Sequence, residues 1–91
     1  MPKERDPNVP VLAFEIDGRK YEILVAGPDE RITCAHNKRY RWSPNSIIIR
    51  ETDAAGLREH EHDLHSATVW GWLGRLLQDR TTVKLLSKTD R

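Results

Sequence analysis

The stretch VLAFEIDGRKYEILVA, residues 11–26, carries the strongest structural signal in the chain, because a tight-turn pair joins two alternating runs there. Asp17-Gly18 is a preferred pair for a type I′ turn, in which both central residues take positive φ. Opposite-charge and aromatic pairs across two strands each contribute roughly 0.2–1 kcal/mol, so the cross-strand chemistry also favours an antiparallel hairpin. The register that a two-residue turn imposes pairs Ile16 with Arg19, Glu15 with Lys20, Phe14 with Tyr21 and Leu12 with Ile23.

A second hairpin is predicted further along the chain, from the run SIIIRE (46–51) and the turn DAAG (53–56). Three consecutive isoleucines favour a strand, and Asp at the first with Gly at the last turn position is typical of a type I turn. The pairs across this turn include two of opposite charge, so we expect residues 57–63 to form a strand. The predicted pairs are Thr52 with Leu57, Glu51 with Arg58 and Arg50 with Glu59.

A helix is predicted to follow at residues 67–80, beginning after Ser66. A single helix from 57 to 80 would have two opposed apolar faces, and a break near Ser66, a good N-cap residue, removes that conflict. The apolar stripe of this helix consists of Val69, Leu73, Leu76 and Leu77.

Two tryptophans and two glycines mark the rest of the helix surface. Trp70 and Trp72 lie on opposite shoulders of the apolar stripe, so we expect one to be buried and the other partly exposed. Gly71 and Gly74 lie on the face opposite the stripe, where each costs about 1 kcal/mol relative to alanine. Either a packing partner needs a close approach there, or the isolated helix is marginal.

The fold class predicted from these elements is α+β. RITCA (31–35) and RYRW (39–42) are predicted as a short strand and its return, and TVKLL (82–86) as a last strand or an extended tail. We expect a mostly antiparallel meander of about six short strands, curled or closed into a small barrel, with the C-terminal helix packed on it. The single domain spans residues 9–86 between tails predicted to be disordered, residues 1–8 and 87–91.

The composition of the chain narrows the functional classes. A chain of 91 residues allows one domain with a small core, which argues against a large enzyme with an enclosed active site. No P-loop, G-x-G-x-x-G or G-x-S-x-G motif is present, so we expect neither an enzyme nor a cofactor. Cys34 is the single cysteine, which fits a reducing compartment, and no apolar run approaches the ~20 residues of a membrane span. We therefore expect a cytoplasmic protein that does not enter the membrane.

Charge is distributed unevenly. Residues 31–50 contain five basic and no acidic side chains, whereas residues 51–65 contain five acids and one arginine. Within the basic block, HNKRYRW (36–42) combines cations with aromatic rings, the chemistry by which small β-domains hold single-stranded RNA or DNA. On a strand, however, alternation would bury the aromatics and leave the arginines in solvent. The residues of the nucleic-acid hypothesis are Lys38, Arg39, Tyr40, Arg41 and Trp42.

The stretch REHEHDLH (58–65) contains three of the four histidines. On a strand His60 and His62 share one face, at a spacing that suits two ligands of one zinc ion. The candidates to complete the site are His65, Asp63, His36 and Cys34. H-x-H alone is a weak metal motif, and an edge strand protected by alternating charge explains the same pattern. The predicted register places Ile49 and Ile47 opposite the two imidazoles, which favours packing over metal binding.

The function predicted from these features is that of a small binding module that docks on another protein, as a regulator, inhibitor or accessory subunit. Alternatives are nucleic-acid binding through residues 38–42, metal binding through the histidines, and a homodimer through the Trp-flanked helix. The predicted partner-binding residues are Arg39, Arg41, Trp42, Trp70, Gly71, Trp72 and Gly74.

Overall fold

The computed structural model describes residues 6–35, 41–78 and 83–88. Seven strands and one helix lie within these ranges, so the α+β class is confirmed. The elements are β1 (Leu12–Ile16), β2 (Arg19–Val25), β3 (Ile32–Thr33), β4 (Arg41–Trp42), β5 (Ser46–Asp53), β6 (Gly56–Asp63), α1 (Ala67–Gln78) and β7 (Val83–Lys88).

Both predicted hairpins are present in their predicted registers. Asp17 and Gly18 have φ of 52° and 81°, and β1 pairs with β2 at all the positions that the turn implied. In the second hairpin Glu51 faces Arg58 across the strands, and the neighbouring predicted pairs are also confirmed. Gly56 closes that turn with a φ of 124°, which L-amino acids rarely adopt.

The main sheet is open, with strand order β6-β5-β2-β1-β7, so the small-barrel alternative is wrong. Every neighbouring pair is antiparallel, and β7 joins the sheet beside β1 with a register shift between Ala13 and Phe14. The sequence predicted either a strand or an extended tail at residues 82–86. The structure has a strand, β7, which begins at Val83 and pairs with β1. The meander is also interrupted, because β3 and β4 form a separate two-stranded sheet.

The sheet is covered on both faces, which gives the domain three layers. On one side, the helix face, Val69 and Leu73 of α1 pack on the larger core cluster. On the other side, the arm face, the two-stranded sheet of β3 and β4, here called the arm, covers a smaller cluster. The sheet residues of the helix face are Phe14, Ile16, Tyr21, Ile23, Val25, Ile47 and Ile49; those of the arm face are Leu24, Ala26 and Ile48, with Ile32 from the arm.

The start of the helix agrees with the prediction. Ser66 Oγ accepts a hydrogen bond of 3.4 Å from the Val69 amide, as an N-cap residue does, and α1 begins at Ala67. The helix is described to Gln78, and residues 79–80 of the predicted span lie outside the described ranges. No helix in those ranges has the length and apolarity needed to cross a membrane.

Some residues assigned to the tails take part in the fold. Asn8 Oδ1 accepts a hydrogen bond of 2.6 Å from the Thr33 amide and so connects the N-terminal turn to the arm. At the other end, Ser87 and Lys88 belong to β7 and pair with Ala13 and Leu12.

Candidate functional site

An open groove of about 330 Å³ lies between α1 and the outer strand β6. Its floor is apolar, because Ile49 and Val69 contribute buried side chains to it. His60 and His62 on β6 are exposed, since α1 does not cover the outer strand. The complete lining consists of Ile49, Glu51, His60, His62, Thr68, Val69, Trp72 and Arg75.

Strand β6 sorts its charges between the two faces of the sheet. Successive side chains of a strand point to opposite faces, so the alternating sequence REHEHD separates its bases from its acids. Arg58, His60 and His62 lie on the helix face, where the two imidazoles line the groove. The acids of the same strand, Glu59, Glu61 and Asp63, point away from it.

Glu59 holds the arm against the sheet. Its side chain is only 3% exposed and accepts hydrogen bonds from Cys34 Sγ at 2.9 Å, the Ala35 amide at 3.2 Å and Arg50 Nε. The same guanidinium donates to the Thr33 carbonyl oxygen at 2.7 Å. Burial raises the pKa of the Glu59 carboxyl, but the hydrogen bonds from Cys34, Arg50 and Ala35 together lower that pKa below its ordinary value.

The other two acids of β6 also have structural partners. Glu61 Oε2 accepts hydrogen bonds from the Ser43 amide at 3.0 Å and from Ser46 Oγ at 2.8 Å. Asp63 Oδ1 accepts from the His65 amide at 2.7 Å, in the turn that precedes α1. The acids that surround the histidines in sequence are therefore engaged in holding the chain together.

Carboxylates on the helix face are neutralised by arginines. Arg58 contacts Glu51 Oε1 and Asp53 Oδ2 at 2.7 Å each, and Arg19 lies 3.8 Å and 3.5 Å from the same two groups. Hydrogen bonds from Arg58, and next from the Ala55 amide, lower the pKa of Asp53. The pKa of the Arg58 guanidinium is raised by hydrogen bonds to these two carboxylates.

Three basic side chains of the groove have no such partner. Within the described ranges, the side chains of His60, His62 and Arg75 make no hydrogen bond or ion pair. The groove therefore combines an apolar floor with cationic or hydrogen-bonding groups that are available to a ligand.

The tryptophans differ from the prediction, because both are exposed. Trp70 is 42% and Trp72 37% exposed, so the expectation that one is buried is wrong. Trp72 contacts the edge of Tyr21 at a ring-centroid distance of 6.4 Å and lines the groove. Trp70 donates from Nε1 to the Leu64 carbonyl oxygen at 2.7 Å, on the opposite shoulder of α1.

The two glycines of α1 are exposed on its outer face. A Cβ added at Gly71 or Gly74 would meet no atom within 4 Å. The sequence left two explanations open for these glycines, a close packing partner or a marginal helix. In the described part of the chain they have no close packing partner.

The basic segment lies away from the helix. Trp42 is half-buried and packs on the arm-face cluster, whereas Arg41 is exposed. Lys38, Arg39 and Tyr40 fall outside the described residues. The sequence combined this segment with the tryptophans of α1 into one contact surface, but the sheet separates Trp42 from α1.

The histidines lie in the register that was predicted, His60 opposite Ile49 and His62 opposite Ile47. No group of three or more His, Cys, Asp or Glu side chains in the described ranges is placed to hold a metal ion. His65, a candidate third ligand, lies in the turn before α1 and does not line the groove. The two imidazoles therefore share the groove with Trp72 and have no third ligand among the described residues.

Sequence analysis missed Thr68 and Arg75 as members of the site. The sequence contains the helical spacing that could have identified them. Thr68 lies four residues before Trp72 and Arg75 three residues after it, and residues at these spacings share one side of a helix. Pairing that side of the helix with β6 requires tertiary information that the local patterns lack. No family model, no curated protein and no solved structure matches this chain.

Proposed function

We propose that this protein is a small non-enzymatic module that docks on another protein through the exposed surface of α1 and the groove beside it. One observation carries the proposal: both tryptophans of a twelve-residue helix are exposed. Of the three exposed large hydrophobic residues in the described ranges, Trp70 and Trp72 lie on α1, and Val9 lies in the N-terminal turn. The docking surface is defined as Trp70, Gly71, Trp72, Gly74 and Arg75.

The energetics of protein interfaces support this surface. Scattered single apolar residues are normal on any protein, but tryptophan is enriched among the residues that dominate binding energy. Gly71 between the two tryptophans and Gly74 after them have open space where a Cβ would stand, so a partner could approach the backbone of α1 closely. Tyr21 already holds the ring of Trp72 in place, which lowers the entropy that binding would cost.

The groove supports binding more than catalysis. An activated nucleophile needs a general base, and that base is usually oriented by a third group. The groove carboxylate, Glu51, is engaged by Arg58, and neither imidazole has an orienting partner in the described ranges. The Cys34 thiol donates a hydrogen bond to the buried carboxylate of Glu59, on the other face of the sheet.

Site-specific photo-crosslinking tests the proposal. A photoreactive benzoylphenylalanine is introduced at Gly74, where the outer face of α1 has room, and in a second protein at Val9. In extracts of the source cell, we expect one protein to crosslink from position 74 and not from position 9. Trp70→Ala combined with Trp72→Ala should reduce that product at least tenfold, whereas Val9→Ala should leave it unchanged.

Three other results are informative. A crosslinked product of twice the chain's mass would identify a second copy as the partner. A product that nuclease removes would contradict protein docking and favour the nucleic-acid alternative. Crosslinking that survives the double tryptophan substitution, in a variant whose circular dichroism shows it is folded, would contradict the proposed surface.

A further inference from the structure

We infer that the groove between α1 and β6 binds a peptide segment that places an apolar side chain on the floor and an Asp or Glu carboxylate beside it. The inference rests on the proposed function, because it names the partner chemistry of the same surface. It is carried by the charges that the fold leaves without partners and by the shape of the groove.

The separation of charge along β6 is the first step. On an irregular loop this sequence, with three acids and one arginine, would present an acidic surface, because all side chains would share one environment. On the strand, Glu59 and Glu61 are engaged on the arm face by Arg50 and by Ser46. The two histidines remain on the helix face, so one side of an acidic stretch presents only imidazoles and an arginine.

The second step is the neutralisation of the acids that do lie on the helix face. Arg58 and Arg19 surround Glu51 and Asp53, so the carboxylate at the groove is already paired. Arg75 has no acid partner in the part of the chain that the structure describes. A ligand that enters the groove therefore meets donors without partners, on Arg75 and the two imidazoles, whereas the charge of Glu51 is already neutralised. This arrangement favours a negatively charged group on the ligand.

The third step is the apolar floor. Ile49 and Val69 are 4% and 6% exposed and form its base, with the ring of Trp72 as one wall. A volume of about 330 Å³ is at the small end of ligand pockets, which suits a short peptide segment. An apolar side chain on this floor would bring a neighbouring carboxylate to Arg75 and the imidazoles.

A peptide fits these features better than a nucleic acid does. Nucleic-acid grooves follow the phosphate backbone with a row of cations and stack several bases on aromatic rings. Here one arginine and two imidazoles surround a single apolar floor, and Glu51 lies among them. That arrangement matches one carboxylate and one side chain.

Three fluorescein-labelled peptide pools test the inference against the full-length protein at pH 7. Each pool has a central Leu, Phe or Trp among varied neutral positions, flanked by Asp and Glu, by Asn and Gln, or by Lys and Arg. We expect the acidic pool to bind roughly five- to tenfold more tightly than the amide pool, and the basic pool to bind most weakly.

Matched arginine variants locate the interaction. Arg75→Gln keeps a good helix former at an exposed site, and it should reduce the affinity of the acidic pool to that of the amide pool. Arg41→Gln, at another exposed arginine that lies on the arm, should change nothing. In nitrogen-15 spectra the acidic pool should shift the indole signal of Trp72 and leave that of Trp42 in place.

The outcomes separate this inference from the proposed function. Equal affinities for the acidic and amide pools, both lost in Trp72→Ala, would overturn the carboxylate preference while supporting docking at this surface. Binding of no pool would overturn the inference, and the crosslinking experiment would then decide the docking proposal by itself. Tighter binding of a single-stranded oligonucleotide that is lost in Arg75→Gln would replace the peptide with a nucleic acid.

Discussion

Among single residues, Glu59 makes the most demanding set of contacts, with three donors around a carboxylate that is 3% exposed. Glu59→Gln removes the charge that faces part-buried Arg50 and should lower the free energy of unfolding by about 2–3 kcal/mol. Urea denaturation with an unchanged m-value would measure this loss. Glu22→Gln is the control, because Glu22 forms only a surface pair with Lys20 at 3.9 Å, worth about 0–1 kcal/mol. Equal effects of the two substitutions would contradict the structural role of Glu59.

The same carboxyl predicts a pH dependence. The folded state holds the pKa of Glu59 below its ordinary value of 4.5, so over that interval the unfolded chain binds more protons than the folded one. The contribution of Glu59 to stability is complete above about pH 4.5 and is lost as the pH falls towards the folded pKa. Urea midpoints measured from pH 6 to pH 3 should fall, and Glu59→Gln should make that fall shallower. The lowered pKa of Asp53 acts in the same direction, so some slope should remain in the variant.

Among the elements, glycine has opposite effects in the β1–β2 turn and in α1. Gly18 has a φ of 81°, so Gly18→Ala should cost about 1–2 kcal/mol, because a Cβ is disfavoured in that region. Gly71 is helical and its added Cβ would meet nothing within 4 Å, so Gly71→Ala should gain about 1 kcal/mol. Thermal unfolding of both variants would show shifts of opposite sign. A loss of stability in Gly71→Ala would reveal a contact on the outer face of α1.

The elements that the sequence predicted well are those determined locally. The type I′ turn at Asp17-Gly18 fixes the register of β1 with β2, and the N-cap at Ser66 fixes the start of α1. Opposite-charge pairs predicted residues 57–63 as a strand, and the pairing of β6 with β5 confirms it. In each case the deciding residues are within about ten positions of one another, so sequence patterns contain the relevant interactions.

For the molecule as a whole, the arm is a short two-stranded layer. In the described residues, two residue pairs join β3 to β4. Asn8 Oδ1 and Glu59 accept hydrogen bonds from the amides of Thr33 and Ala35, and Arg50 donates one to the Thr33 carbonyl oxygen. We predict that the amides of Thr33 and Ala35 exchange with solvent faster than that of Ile23 in the central strand β2, because the arm can open without global unfolding. Hydrogen exchange followed by NMR measures this difference. Glu59→Gln should increase the exchange rate of the Ala35 amide by a larger factor than that of the Ile23 amide. Equal increases at both amides would show that the arm unfolds together with the sheet as one cooperative unit.

The whole-molecule features are also those that the sequence did not predict. The position of β7 beside β1, the separate layer of the arm and the choice of an open sheet over a closed barrel all depend on contacts between distant residues. The same is true of the groove, since Arg75 and His60 meet only after α1 crosses the helix face. Local patterns identified both histidines and Trp72 as candidate site residues. They grouped Trp72 with Arg41 and Trp42 of the arm, whereas in the structure Trp72 lines the groove beside β6. Periodicity shows which side chains share an element's face, and it does not show which faces meet.

The alternating charge of β6 also protects the pairing of the sheet during folding. A slip of one residue against β5 would move Glu59 and Glu61 to the side of Glu51, and it would place Arg58 or His60 beside Arg50. Depending on its direction, the slip would oppose Glu51 and Glu59 on the helix face or Arg50 and Arg58 on the arm face, and in either case Arg50 would lose its carboxylate partner. Such slips are thus penalised in both directions, so the acid–base alternation that leaves imidazoles free at the groove also rejects misfolded registers.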